Sequence, residues 1–396
     1  MHVLDRRKAL SIVPFFRLGF RPFFLLGSVL AMLAVPLWVI ALNGWIADWQ
    51  PAVGWLAWHR HELLFGFAAA IIAGFLLTAV QAWTGGPGLS GRPLMLLTVL
   101  WVAARLAWLL GVPMWLAVLL DFMFLPLVAA QMVRSVWPVR QVRNYPLVLI
   151  LLLMAVANAV TLYGVITANE QLQRQAIIGG VWFVAAIMSM IGGRVIPFFT
   201  QRGLLRKEGV SPWSKLDLFL LIVTVLVSIT FMLGWGLQPS IWLGLAFAGL
   251  GLAHLVRTVR WYDSGIWRVP LLWSLHLAYL WLGVACCAMA LWNFTVFSNM
   301  ILAVHALTVG AMGGLILAMI ARVTLGHTGR PLQPPQSMVW AFILFNLGVL
   351  ARVLLVNWAY LPSLWIAAAC WTLSFALYLW SYGPMLCRAR VDGNPG

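Results

Sequence analysis

Six of the seven histidines lie within or at the ends of long apolar segments. An ionisable side chain is costly inside a membrane, so each of them is a candidate functional residue. Imidazole is a good ligand for haem iron and for copper, and the pattern therefore predicts histidine-ligated metal or haem. For one isolated histidine a hydrogen bond across helices is an equally good interpretation, but six together favour ligands. These residues are His59, His61, His254, His276, His305 and His327.

The apolar segments indicate an all-α membrane protein. Hydrophobic residues make up 63% of the 396 residues and charged residues 9%, with a mean hydropathy of +0.97. This composition excludes a soluble globular protein, a disordered chain and a secreted disulfide scaffold. Runs of about twenty apolar residues match the thickness of the bilayer core. We predict a polytopic bundle of twelve transmembrane helices, near residues 22–43, 61–83, 93–111, 113–133, 146–167, 176–199, 216–234, 239–259, 269–292, 299–322, 336–356 and 361–385.

The charge distribution predicts the orientation of this bundle. The net charge is +16, and nearly all Lys and Arg residues outside the predicted helices fall on the side that carries the termini. Only Arg60 and Arg174 fall on the other side. By the positive-inside rule both termini are cytoplasmic, and the charge needs no nucleic acid partner. We expect cytoplasmic tails at residues 1–21 and 386–396 and a single transmembrane domain at residues 22–385.

The cysteines restrict the kind of haem that the chain can hold. Four cysteines are present, and they form neither a Cys-x-x-Cys nor a Cys-x-x-Cys-His motif. Any haem is therefore held non-covalently. The first apolar run is not followed by a small-residue cleavage site, so we expect a retained helix rather than a signal peptide.

Depth places three histidines toward the periplasm. His61 opens the second predicted helix and His305 lies early in the tenth, and both helices run inward from the periplasmic face. We predict that these two residues are the axial ligands of one b-type haem. His59 is two residues from His61, about 200° away around a helix. The two can share a metal only if the helix has not begun at that point.

The other three histidines are predicted to lie in the cytoplasmic half. His327 is about 22 residues beyond His305, roughly 33 Å along a helix, so these two cannot share a metal. His254 lies late in one predicted helix and His276 lies early in the next, so the two are at similar depth in the membrane. We predict a second metal or haem held by His276 and His327, with His254 as a third candidate ligand.

Charged neighbours of the histidines have functional and structural interpretations. Glu62 could neutralise a metal, orient a histidine or cap the start of its helix. Arg105 and Asp121 lie at similar distances from the short turn between the third and fourth helices, which predicts a structural ion pair. Arg194 and Arg322 could pair with haem propionates, although anchoring at the membrane interface is the more common role.

A partial repeat relates the second and tenth helices. Glycines in both could admit a flat macrocycle or simply allow close helix packing. Prolines open the first, fifth and ninth helices at even spacing, which favours three units of four helices. The matched positions are His61, Leu63, Gly66 and Thr84 with His305, Leu307, Gly310 and Thr328, and the prolines are Pro22, Pro146 and Pro270.

Several motifs along the chain resemble those of the NnrS family. The likeness extends over nearly the whole chain. It implies a twelve-helix protein of the bacterial inner membrane that contains haem and copper and is associated with denitrification and resistance to nitric oxide. His254 lies outside the family's motifs. The motifs are Arg21-Pro22-Phe23-Phe24, Trp58-His59-Arg60-His61-Glu62 with Gly66 and residues 74–79, Trp83-Thr84-Gly85, residues 193–200, Leu275-His276-Leu277, residues 305–310 and residues 326–330.

A looser likeness connects the chain with haem–copper oxidases, which also have twelve helices in three four-helix arcs. The paired His61 and His305 fit that architecture. The sixth helix departs from it, because Ile177 stands where the repeat would place a histidine. The sequence thus predicts that the oxidase-type copper site is missing.

Two functional interpretations stay open at the level of sequence. The first is a haem and metal protein that acts on nitric oxide, or on a species derived from it, by redox chemistry or binding, with an unidentified electron donor. The second is a transporter of metal, haem or a nitrosylated metal complex, which twelve spans with repeats would suit. A nitric oxide sensor is a third possibility, but no segment is available for an output domain.

Overall fold

Helices make up all the regular structure in the part of the chain that the computed structural model describes, residues 6–46 and 48–395. Twelve of these helices are long and apolar enough to cross a membrane, which confirms the predicted fold class. We number them α1 to α12. Their bounds are Phe20–Leu42, Trp55–Thr84, Arg92–Leu109, Met114–Val136, Val142–Ile166, Glu170–Gly203, Ser214–Met232, Ile241–Trp261, Pro270–Asn293, Ile301–His327, Gln336–Asn357 and Tyr360–Cys387.

In three helices, the residues that lie beyond the predicted ends include site residues. Helix α2 begins at Trp55, so His59 and His61 both lie inside it. Helix α6 continues to Gly203, and α10 continues to His327, its last residue. The expectation that the α2 helix opens at His61 is therefore wrong. Local hydropathy underestimates such ends because polar residues continue a helix beyond the apolar core.

Prolines and glycines delimit several spans as their backbone preferences require. Pro270 opens α9, and Pro146 lies in the first turn of the α-helical part of α5, which begins at Tyr145; at both positions the missing N–H costs no hydrogen bond. Gly85 ends α2 in the left-handed conformation, with φ of 69°, and its N–H donates to the carbonyl of Gln81.

A π-helical segment interrupts both α2 and α10. In α2 it spans Glu62–Ala68, directly after His61, and in α10 it spans Ala306–Gly313, directly after His305. Such segments are rare and frequently lie at functional sites. The two helices with matched sequence therefore also share a backbone feature. The three-unit repeat and the oxidase-like arrangement stay predictions.

The chain divides into two compact units. Unit 1 comprises the described residues up to Gln173, then Ile320–Met338, and the chain from Thr372 onward. Unit 2 comprises Arg174–Met319 and Val339–Trp371. In unit 1, α2 is mostly buried and packs against α1, α3 and α4; in unit 2, α9 packs against α8 and against the π segment of α10. The single transmembrane domain stays a prediction.

Close packing of α1 against α2 depends on a glycine. A Cβ at Gly74 would lie 2.9 Å from Cβ of Phe23 and 3.2 Å from the carbonyl oxygen of Gly19, both on or next to α1. Small residues let membrane helices approach closely in this way. A Cβ at Gly86, just beyond α2, would meet only Thr84 Oγ1, at 3.6 Å.

The substitution Gly74→Ala should lower the free energy of unfolding by roughly 1–3 kcal/mol, because the added methyl group forces α1 and α2 apart. The same change at Gly86 should alter it by less than about 0.5 kcal/mol. Thermal or SDS-induced unfolding in mixed micelles measures both. Equal losses for the two variants would contradict the role assigned to Gly74.

Candidate functional site

A buried polar network joins four helices of unit 1. It contains Glu62 of α2, Arg105 of α3 and Asp121 of α4, all of them 7% exposed or less. Arg105 donates to Glu62 Oε1 at 2.8 Å and also to Asp121 Oδ2. The predicted Arg105–Asp121 ion pair is confirmed. Glu62 does not serve as a simple helix cap, since its carboxylate takes one side of the same guanidinium.

His61 lies inside this network and uses both ring nitrogens. Nδ1 is 3.2 Å from Glu62 Oε1, and Nε2 is 3.0 Å from Asn158 Oδ1. The Asn158 amide donates its nitrogen to Asp121 Oδ1 at 2.9 Å, which turns its oxygen toward the histidine. Both ring nitrogens of His61 therefore face oxygen acceptors. Two donors on one ring are found only in the imidazolium form.

The network is electrically balanced when His61 is protonated. Glu62 and Asp121 contribute two negative charges, and Arg105 and the imidazolium contribute two positive charges. Balance matters because burying an unpaired charge costs several kcal/mol. Trp108 donates its indole N–H to Asp121 Oδ2 at 3.0 Å, while Arg105 Nε is buried without a partner among the described residues.

The same residues form a set of possible metal ligands. Ligand atoms of His61, Glu62 and Asp121 lie within 4.8 Å of one another, and nitrogen with oxygen donors suits a divalent cation. Arg105 already supplies a positive charge to both carboxylates. A metal would have to displace that guanidinium, so the geometry favours the ion network over a metal centre.

His59 belongs to a different environment from His61. Its ring stacks on Trp38 of α1, with centroids 4.8 Å apart and planes 15° apart. Because both residues lie in the same helical turn, their side chains diverge, as the 200° spacing requires. The condition under which the two would share a metal is not met.

His305 lies in unit 2, and its two hydrogen bonds define its tautomer. Its Nδ1 is 2.8 Å from the carbonyl oxygen of Ile301, which only accepts, so Nδ1 carries the proton. Its Nε2 is 3.0 Å from Arg352 NH2, a group that only donates. Nε2 therefore carries a lone pair. A ligating histidine commonly has this arrangement, with the other ring N–H held by a carbonyl.

His276 shows the same division of roles between its two ring nitrogens. Thr200 donates its hydroxyl to the carbonyl of Ile196 at 2.9 Å. The Thr200 oxygen, 3.2 Å from His276 Nε2, then accepts the ring proton. Nδ1 of His276 is left with a lone pair. The threonine of the 193–200 motif thus orients the histidine.

His254 is part of a buried polar chain. Arg257 donates to the Tyr279 hydroxyl at 2.9 Å and to Asp217 Oδ1 at 2.6 Å. The Tyr279 hydroxyl proton is then directed to His254 Nδ1, also at 2.9 Å. The ring nitrogen that could ligate a metal is therefore already an acceptor. A Cβ at Gly193 would collide with Arg257, which gives this motif glycine a packing role.

The remaining predicted site residues lie at helix ends or in packed surroundings. His327 ends α10, and its ring centroid is 5.5 Å from that of Phe20. Arg322 is buried and Arg194 is half-buried, and each side chain or backbone already takes part in a polar, ring or electrostatic contact. The glycine face of α10 is filled by aromatic side chains, since a Cβ at Gly310 would meet Trp281. That favours helix packing there over approach of a macrocycle.

Three partners of these histidines were not singled out from the sequence: Trp108, Asn158 and Tyr279. Thr200 was named only as the end of the 193–200 motif. Asn158 and Thr200 carried a usable signal, because a polar residue within or ending an apolar span often bonds across helices. The structure makes Arg352 the partner of His305. His61 and His305 belong to different units, and their sharing of one haem stays a prediction.

The fold and these sites define a multi-pass helical membrane protein with hydrogen-bonded histidines buried in its spans. None of the curated proteins compared with the chain matches it. The profile of the NnrS protein family matches residues 14–390, nearly the whole chain. The protein belongs to the NnrS family, as the motifs predict.

Removing Arg105 should be strongly destabilising because it leaves an uncompensated negative charge. We expect Arg105→Met and Asp121→Asn each to cost about 3–5 kcal/mol, and the double variant to cost clearly less than their sum. The exposed pair of Arg60 with Glu170 is the control, and Glu170→Gln should cost less than about 1 kcal/mol. Unfolding in mixed micelles measures all four, and strict additivity of the double variant would refute the charge-balance argument.

Proposed function

We propose that this protein binds haem b and copper in the bacterial inner membrane and acts in the nitric oxide response. Membership of the NnrS family supports this proposal. The twelve spans are consistent with it, and the charge distribution favours cytoplasmic termini. The lipid bilayer is the surrounding partner, and nitric oxide or a species derived from it is the proposed ligand.

The observation that carries the proposal is the tautomer of His305. Its Nδ1–H is held by the carbonyl of Ile301, and the Nε2 lone pair is directed at Arg352. Haem iron or copper takes such a lone pair. Arg352 also has a second nitrogen, NH1, that is buried without a hydrogen-bond partner. Once it is released from His305, the guanidinium can pair with a carboxylate such as a haem propionate.

His276 is the proposed ligand of a second centre. Thr200 holds its Nε2–H, which orients the ring and keeps the Nδ1 lone pair available. We propose His327 as its companion, with His254 as a candidate third ligand if Tyr279 releases its Nδ1, as Arg352 would have to release His305. Haem or copper bound there would supply redox chemistry and a coordination position for a diatomic gas.

The reactive centre is proposed to be the one with fewer or weaker ligands. If His61 and His305 were the two axial ligands of one haem, as the sequence predicts, that haem would not readily offer an open axial position. We therefore favour the His276 centre, whose companion His327 ends its helix, with copper at His59 as the alternative. The protein is then expected to protect cells against nitric oxide rather than to sustain a rapid flux, since α6 lacks the histidine of an oxidase-type copper site.

Transport of a metal, haem or nitrosylated metal complex is the second candidate function. The buried group of His61, Glu62 and Asp121 favours it, because ionisable residues inside spans often line an ion pathway. Arg105 opposes it, since its guanidinium occupies the position that a cation would take.

The purified protein should contain haem, seen as a Soret band and by pyridine haemochrome assay, and copper by elemental analysis. His305→Ala should lose or shift that haem's absorption. Asn346→Ala should keep it, because the Asn346 side chain only donates to the carbonyl of Phe342 in its own helix. A folded but colourless wild-type protein would overturn the proposal and leave transport as the better function.

Titration of the reduced protein with nitric oxide locates the reactive centre. We expect a spectral shift that His276→Ala or His327→Ala abolishes and His59→Ala preserves. The opposite pattern would move the chemistry to His59. Complete absence of a shift in the haem-loaded wild type would rule out nitric oxide binding.

A further inference from the structure

The end of unit 1 that carries the end of α12 contains a cluster of arginines. Its members, which we call the arginine cluster, are Arg17, Arg21, Arg330 and Arg390. They lie close enough for the charges of the other three to act on Arg21. All four belong to unit 1. The cluster lies next to His327, since Arg390 NH1 donates to the His327 carbonyl at 3.0 Å, but it includes none of the proposed histidine ligands.

Arg21 is the buried centre of this cluster, with no exposed surface. Its NH1 donates to the carbonyls of Leu386 and Arg388, at 2.9 and 2.6 Å, and so caps the end of α12. Its other two nitrogens, Nε and NH2, are buried and have no hydrogen-bond partner in the part of the chain that the structure describes. An unsatisfied donor on a buried charged group is expensive, so these two N–H groups call for an acceptor.

Among the described residues, one carboxylate, that of Asp392, pairs with the four arginines of the cluster. Arg17 donates to backbone carbonyls of Leu10 and Ile12, at 2.9 Å each, and these oxygens carry no net charge. Arg330 has a buried nitrogen, NH1, that makes no hydrogen bond with any described residue. Arg390 has a carboxylate partner, Asp392, at 2.5 Å. That contact holds the pKa of Asp392 below its usual range, so Asp392 is ionised at neutral pH.

The segment after α12 covers the cluster. The backbone N–H of Val391 donates to the carbonyl of Thr328 at 3.2 Å, and Arg390 NH1 donates to the carbonyl of His327 at 3.0 Å. Arg17 NH1 reaches the carbonyl of Pro395 at 3.4 Å. These hydrogen bonds hold a short, largely exposed segment beside the buried guanidinium of Arg21.

We propose that the arginine cluster binds a phosphate oxyanion, with Arg21 and Arg330 as its principal ligands. A guanidinium presents a planar fork of donors that matches phosphate oxygens, and phosphate carries enough charge to balance several arginines. The phosphate is supplied by the headgroup of an anionic phospholipid or by free inorganic phosphate. The predicted cytoplasmic position of this end favours the lipid, because basic pockets between helices bind anionic headgroups there.

Delipidated wild-type protein in a neutral detergent is the material for the test. Its thermal unfolding is followed during titration with sodium phosphate at constant ionic strength, with chloride as the balancing salt, and separately with phosphatidylglycerol or phosphatidylcholine. Native mass spectrometry counts retained phosphatidylglycerol. A rise in the unfolding temperature with inorganic phosphate identifies a soluble oxyanion, and a rise with phosphatidylglycerol alone identifies the lipid headgroup. Either result supports the proposal.

Arg330→Gln is the decisive variant, because it removes an unpartnered donor and, among the described residues, breaks no side-chain hydrogen bond. It should weaken the phosphate or phosphatidylglycerol response by about tenfold in affinity. Arg21→Gln should abolish the response, although loss of its cap on α12 could also reduce folding. Arg134→Gln, at an exposed arginine ending α4, should leave the response unchanged.

The proposal is overturned if neither phosphate nor phosphatidylglycerol stabilises the wild type, or if Arg330→Gln and Arg134→Gln respond alike. It is also overturned if Arg330→Gln lowers the haem content and leaves the phosphate response intact. None of these outcomes bears on the histidine-ligated centres except the last, which would assign the arginines to haem binding.

Discussion

A charge buried in a membrane span has to be balanced within hydrogen-bond distance, because hydrocarbon offers no water to solvate it. In unit 1 this constraint ties four helices together. Arg105 connects α2 to α4 through Glu62 and Asp121, and Asn158 adds α5. The π segment of α2 begins at Glu62, so the backbone irregularity lies where the carboxylate must reach the guanidinium.

The same requirement separates the histidines by their chemistry. Both nitrogens of His61 face oxygen acceptors, which makes it a charged member of an ion network. His305 and His276 each have one nitrogen held as a donor and one left with a lone pair. Hydrogen bonding to neighbouring groups therefore decides which imidazoles can serve as metal ligands, since identical side chains differ only in what surrounds them.

Where the protein does not supply a partner for a buried charged side chain, we expect a bound group to supply one. Arg352 retains a buried nitrogen without a partner beside His305, and Arg21 retains two beneath the segment that follows α12. Elsewhere both terminal nitrogens of the Arg257 guanidinium are bonded, to Asp217, Tyr279 and Ser189. Arg105 keeps a buried Nε without a partner among the described residues, but both of its terminal nitrogens donate to carboxylates. An unbonded terminal nitrogen, rather than the arginine count, therefore separates Arg21 and Arg352, for which we propose bound groups, from Arg105 and Arg257.

The sequence by itself determined the twelve spans, the all-helical class, the family and the Arg105–Asp121 pair. Apolar length and a short turn are local properties, so they can be read along the chain. Only the tertiary structure decided that Asn158 orients His61 and that Arg352 meets His305. These contacts depend on how each helix is rotated about its axis, and nearly uniform apolar spans encode that rotation weakly. The rotation is set by packing and by polar bonds between helices, which form only when the bundle is assembled.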